Sequence, residues 1–151
     1  MKKSARILLW VLFIIYCALM IWLLFIRNRE PRVSGLPYWE NLKANMNLIP
    51  FATIKLFYNS LSFMPGAAIV NLLGNVVVII PLGIFLPVLW KNQRRLWVFL
   101  LTVIFVICLV EITQLFTLLG ACDIDDLMLN LFGALIGFCL FQIPPIKRAL
   151  T

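Results

Sequence analysis

The chain contains no histidine, and only six of its 151 residues are acidic. Without imidazole the commonest general base, the commonest metal ligand and every nucleophilic triad built on histidine are excluded. Any chemistry must run on carboxylates, amides and cations. The four cysteines, Cys17, Cys108, Cys122 and Cys139, include no CxxC pair, and three lie inside apolar runs, so they form neither a disulfide framework nor a zinc site. Charged residues of both signs make up just 13% of the chain, too few to cover a water-exposed surface.

Apolar residues fill that space. They account for 64% of the sequence, with a mean hydropathy of +1.05, so lipid is the solvent for most of the surface. A spanning helix needs about 20 apolar residues. Four runs meet or approach that length, at 7–26, 69–90, 96–116 and 127–143. They predict an all-α integral membrane protein with four transmembrane helices and one domain over 1–151. The first run follows Lys2, Lys3 and Arg6 and superficially resembles a signal peptide. It is too long for such a segment and lacks a small-x-small exit, so it reads as a retained helix. Tyr16 before Cys17 also rules against a lipoprotein cleavage site. The second run carries Pro81 and Pro87, tolerated as kinks in membrane helices when neighbours satisfy the freed carbonyls. The fourth is short and stops at Pro144 and Pro145.

The connection 27–68 mixes Lys43 and Lys55 with aromatic and apolar residues, including Pro37-Tyr38-Trp39 and Asn47-Leu48-Ile49-Pro50-Phe51. Such a segment suits the headgroup layer and is expected to be interfacial or re-entrant. With four spans, the two termini and the loop 91–95 share one side and carry eight basic residues, against five in the first connection and none at 117–126. The positive-inside rule then places both termini in the cytoplasm.

That topology gathers the intramembrane polar residues toward one leaflet. Asn71 and Asn75 lie one turn apart near the start of the second span, Glu111 and Gln114 share a face near the end of the third, and Asp123, Asp125, Asp126 and Asn130 open the fourth. A carboxylate at mid-span costs roughly 2.5 to 3.5 kcal/mol on insertion scales, so Glu111 should face the bundle interior and is read as functional. Structural readings stand beside this one. Asp125 or Asp126 could simply cap the fourth helix. The asparagines could be interhelical glue, and Gly133 with Gly137 forms a small-xxx-small packing face. Arg27, Arg29, Arg32, Lys43 and Lys55 either snorkel beside the spans or hold a phosphate. Carboxylates with nearby cations would also suit a diphosphate bridged by a divalent cation.

These residues and their order are similar to a known family. Asn47-Leu48-Ile49-Pro50-Phe51, Asn71-Leu72-Leu73-Gly74-Asn75 with Pro81-Leu82-Gly83, Glu111-Ile112-Thr113-Gln114, and Asp123-Ile124-Asp125-Asp126 with Asn130, Gly133 and Gly137 resemble the VanZ-like membrane proteins associated with teicoplanin resistance. The resemblance implies a four-helix membrane domain that modifies lipid headgroups or lipid-linked glycans, with Asn75, Glu111, Gln114, Asp123, Asp126 and Asn130 lining the site. Many relatives carry an arginine just before the aspartate cluster, where this chain has Ala121-Cys122. The expected roles are Glu111 as acid or base, Asp123 and Asp126 orienting a nucleophile or cation, and Asn71, Asn75, Gln114 and Asn130 binding substrate. The expected partners are membrane lipid and a lipid-linked envelope precursor, with no nucleic acid. The competing expectation is a non-enzymatic protein that binds envelope lipid, antibiotic or a partner protein, with the polar cluster holding the bundle together.

Overall fold

In lipid a backbone must satisfy its own N–H and C=O groups, and the long apolar runs do so as helices. The structure, a computed structural model, describes residues 3–27 and 35–150, with the side chains of 67 and 148–150 outside the description. Helix α1 covers Lys3–Ile21 and passes into a π-helical stretch at Trp22–Ile26. Two short helices follow, α2 at Tyr38–Ala44 and α3 at Ala52–Ser60, with strand β1 at Met46–Asn47 between them. Helix α4 spans Pro65–Leu89 and leads through a 3-10 turn at Lys91–Arg94 into α5 at Leu96–Phe116. Strand β2 at Cys122–Asp123, α6 at Ile124–Gln142 and α7 at Pro144–Leu150 complete the chain. Four of these helices are long and apolar enough to cross a membrane: Lys3–Ile26, Ala68–Leu89, Leu96–Phe116 and Ile124–Gln142.

The helices outrun the apolar stretches that predict them. α1 begins at Lys3, four residues before the run, and α4 begins at Pro65, where a proline at the first helical position has no N–H to waste. α6 begins at Ile124 and takes in both Asp125 and Asp126. Hydropathy marks the lipid-facing stretch, while capping chemistry marks the helix end.

Packing centres on α4 and α6. A Cβ on Gly133 would lie 2.1 Å from the Val76 carbonyl oxygen, and one on Gly137 would lie 2.1 Å from that of Ile80. From the other side, a Cβ on Gly83 would lie 2.2 Å from the Ala134 carbonyl oxygen. The two backbones touch, as expected of small-residue seams in membranes. Around them Ile79, Leu82, Leu86, Phe99, Val103, Ile107, Ala134 and Phe138 form the core. α1 has no buried residue, so it sits at the edge of the bundle, contacting the core through Phe13, Tyr16 and Met20.

α4 continues through both prolines without a break. Pro81 lacks the N–H that would bond the Val77 carbonyl, and the adjacent Val78 carbonyl accepts a bond from the Tyr16 hydroxyl at 2.9 Å. The Pro87 carbonyl accepts from Arg94 Nε at 3.0 Å. Side chains from neighbouring segments thus bond the backbone of this helix close to each proline.

Converting Gly133 or Gly137 to Ala is expected to destabilise the protein by about 1 to 3 kcal/mol, the usual range for overpacking. Gly66→Ala, where a Cβ meets open space, should have little effect. Thermal unfolding in one detergent compares the three. Equal midpoints would contradict a close-contact seam.

Candidate functional site

The motif Asn47-Leu48-Ile49-Pro50-Phe51 builds the cover of the polar end. Pro50 and Phe51 occupy the central positions of a turn closed by the Ala52 N–H donating to the Ile49 carbonyl at 3.3 Å. Phe51 adopts φ 65° and ψ 5°, the left-handed conformation a type II turn requires at its third residue. A non-glycine residue there costs on the order of 1 kcal/mol or more and persists only when its surroundings impose it.

Asp125 imposes it. Its carboxylate, 0% exposed, accepts from the N–H of Phe51 at 2.6 Å, Thr53 at 2.8 Å and Ile54 at 3.0 Å. These are the orphan donors at the N-terminus of α3, so Asp125 caps that helix from another part of the chain. The expectation that Asp125 or Asp126 caps the fourth helix is corrected here. The N-cap of α6 is Asp123, whose Oδ1 accepts from the Asp125 N–H at 2.8 Å. The three clustered aspartates take different donors, because successive residues entering a helix point in different directions.

Asp123 ties the same cover down a second time. Its Oδ2 accepts from the Thr53 hydroxyl at 2.5 Å and from Asn47 Nδ2 at 3.2 Å, and Asn47 Nδ2 also reaches Thr53 Oγ1 at 2.8 Å. β1 and β2 run parallel here, pairing Met46 with Cys122 and Asn47 with Asp123. The first connection is therefore clasped to the loop 117–123, as an interfacial segment folded over one end of the bundle. Trp39 and Tyr58 remain exposed on it, the amphipathic aromatics expected at headgroup level.

Beneath this cover lies a cavity of about 350 Å³, within the size range of small-molecule sites. All seven residues expected at the site line it: Asn71 and Asn75 from α4, Glu111 and Gln114 from α5, Asp123 from β2, and Asp126 and Asn130 from α6. Asn75 Nδ2 donates to Asp126 Oδ1 at 2.5 Å. The Asp123 N–H donates to Glu111 Oε2 at 3.3 Å, and Glu111 is 6% exposed. Gln114 Nε2 donates to the Leu24 carbonyl at 3.1 Å, fastening the π-helical stretch to α5. Met20, Leu24, Phe57, Val78, Val106 and Val110 supply an apolar wall.

Thr53 also lines the cavity and was not among the expected site residues. Its position depends on two distant aspartates, which only the pairing of β1 with β2 reveals. No described Lys or Arg lines the cavity. Arg27, Lys43 and Lys55 are exposed, while Arg29 and Arg32 lie outside the described residues. Among the described residues, no three acidic, cysteine or histidine side chains are grouped to hold a metal ion.

Fold and site together define a polytopic helical membrane protein with a carboxylate- and amide-lined cavity at one end of its bundle. The family model for VanZ/LLP1 matches residues 13–145, and the chain belongs to that family. No curated protein and no solved structure matches it.

Two predictions concern this end of the molecule. Asp125→Ala leaves three N–H groups at the start of α3 without their acceptor, and should cost roughly 2 to 4 kcal/mol by analogy with charge-assisted hydrogen bonds. Hydrogen exchange at Thr53 and Ile54 should accelerate before that of α4, whereas unchanged protection would contradict the cap. The Cys122 thiol is pushed above its ordinary pKa, first by burial and then by the negative charge of Glu111. A raised pKa means less thiolate at neutral pH, so maleimide labelling of a variant retaining only Cys122 should still be accelerating above pH 9. Glu111→Gln should speed labelling at a fixed pH.

Proposed function

We propose that this VanZ/LLP1 protein binds the headgroup of a cell-envelope lipid, or of a lipid-linked glycan, at the outer leaflet and acts on it chemically. The observation that carries this reading is the two-part lining of the cavity, carboxylates and amides together with apolar side chains from the π-helical end of α1 and from α3, α4 and α5. An amphiphile has the same two parts. A soluble metabolite would have no use for the apolar wall, and structural glue alone would not leave an open volume beside it.

In this reading Glu111 is the proton donor or acceptor, a carboxyl only 6% exposed on the cavity wall of a chain without histidine. Both oxygens of Asp123 already accept protein hydrogen bonds, so its role is to hold Thr53 at the cavity wall. Asp126, oriented by Asn75, faces the substrate. Outer-leaflet placement follows from the excess of Lys and Arg at the termini and in the loop 91–95. An effect on teicoplanin susceptibility would follow if the lipid acted upon belongs to the envelope layer the drug meets.

Glu111→Gln and Asp126→Asn, expressed at wild-type membrane abundance, should each abolish the change that the wild-type protein makes in the envelope lipid profile. Teicoplanin susceptibility is read in parallel. If both near-isosteric variants behave as wild type, carboxylate chemistry is ruled out. If abundance collapses instead, the polar cluster serves to hold the bundle together. Membrane-impermeant labelling of Cys122 in intact cells checks the sidedness, and labelling only after permeabilisation would move the site to the inner leaflet.

A further inference from the structure

The amide side chains of the cavity are oriented by their partners. Gln114 Nε2 meets the Leu24 carbonyl and Asn75 Nδ2 meets an Asp126 carboxylate oxygen. Both partners offer oxygen acceptors, so in each case the NH₂ end must face the protein partner and the carbonyl end cannot take its place. The carbonyl oxygens Oε1 of Gln114 and Oδ1 of Asn75 accept no hydrogen bond from any described residue. Among the described residues Gln93 Oε1 is the buried side-chain acceptor without a partner, so the Gln114 oxygen, on a side chain only 5% exposed, keeps access to the cavity that Gln114 lines. Asn130, nearly two turns into α6, lines the same cavity and makes no hydrogen bond to any described residue through either end of its amide.

Three neutral amides, one each from α4, α5 and α6, therefore remain open on the cavity: two carbonyl acceptors held in fixed orientation, and one amide that can both donate and accept. An acceptor held in fixed orientation beside open volume gains a bond only from a donor on the occupant, so the arrangement favours a ligand that supplies O–H donors there. A hydroxyl group donates to a carbonyl and accepts from an amide N–H, which matches Gln114, Asn75 and Asn130 as a set. A quaternary ammonium headgroup has no N–H or O–H to give and would leave the two carbonyl acceptors unmet.

Resting on the headgroup reading above, we propose that the cavity selects lipids whose headgroup carries neighbouring free hydroxyls, a glycosyl or glycerol headgroup, and that Asn75, Gln114 and Asn130 read those hydroxyls. Asn130 is the cleanest position for a test, because it has no described hydrogen bond to lose on substitution.

The full-length protein is reconstituted in nanodiscs with phosphatidylglycerol, glucosyl-diacylglycerol and phosphatidylcholine of identical acyl chains. Retained lipid is then counted by native mass spectrometry. Phosphatidylglycerol and the glucosyl lipid should both be retained over phosphatidylcholine, and their order tells whether glycerol or sugar is the better source of hydroxyls. Asn130→Leu should reduce that preference about tenfold, the effect of one lost neutral hydrogen bond of about 1.4 kcal/mol. It should leave phosphatidylcholine retention and the unfolding midpoint unchanged. Asn130→Gln should restore part of the preference. If phosphatidylcholine is retained as well as the hydroxyl lipids, while Glu111→Gln alters retention of all three, the cavity still holds headgroups and hydroxyl selection is wrong. If no cavity variant alters any lipid, the headgroup reading itself fails.

Discussion

The buried carboxylate of Asp125 is the constraint on which the polar end of this molecule depends. It accepts three backbone N–H bonds from a segment more than seventy residues earlier in the chain. Without it the left-handed Phe51 would be a strained turn with nothing to hold it, and the first turn of α3 would be uncapped inside a membrane protein. With it, α3 lies across the end of the bundle and brings Thr53, Leu56 and Phe57 onto the cavity wall. Burying a charge is tolerable only when hydrogen bonds replace its water, and here three backbone donors do so.

The opposite requirement governs the bundle itself. α4 and α6 approach until backbone meets backbone at Gly83, Gly133 and Gly137, leaving no space between them for a ligand. Asn75 and Asp126 belong to the same two helices, nearer the covered end, where the cavity opens. The glycine seam sets the spacing of the helices, and the polar residues decorate the end where a third body can enter. The π-helical end of α1 contributes to this opening, since its Leu24 carbonyl is held by Gln114 and its side chain lines the cavity. π turns recur at functional sites, and this one lies on the helix with the least burial in the bundle.

Much of this was legible in the amino-acid sequence. Four apolar runs yield four spanning helices because lipid leaves the backbone no alternative, and helical spacing brings Asn71 with Asn75 and Glu111 with Gln114 onto shared faces. The glycine pair of α6 was readable for the same reason. What the sequence hid was the work of Asp125 and Thr53. A cap is normally sought on the helix that an aspartate introduces, but Asp125 caps a helix elsewhere in the chain, and only the pairing of Asn47 with Asp123 shows how they meet. The short helices α2 and α3 were likewise hidden, because their order comes from this clasp more than from their own composition. The cations that could either snorkel or hold a phosphate were residue types read without directions, and those described do not line the cavity.

The central claim is that the cavity holds a lipid by its headgroup, and photocrosslinking from its wall tests that most directly. A diazirine side chain at Val110, which lines the cavity, is compared in cells with one at Phe105, which is exposed on the lipid-facing side of the same helix. The account predicts that position 110 captures lipids enriched in one headgroup class and that Glu111→Gln lowers this capture, while position 105 captures the bulk membrane mixture in both backgrounds. The same mixture at both positions, indifferent to Glu111, would contradict it.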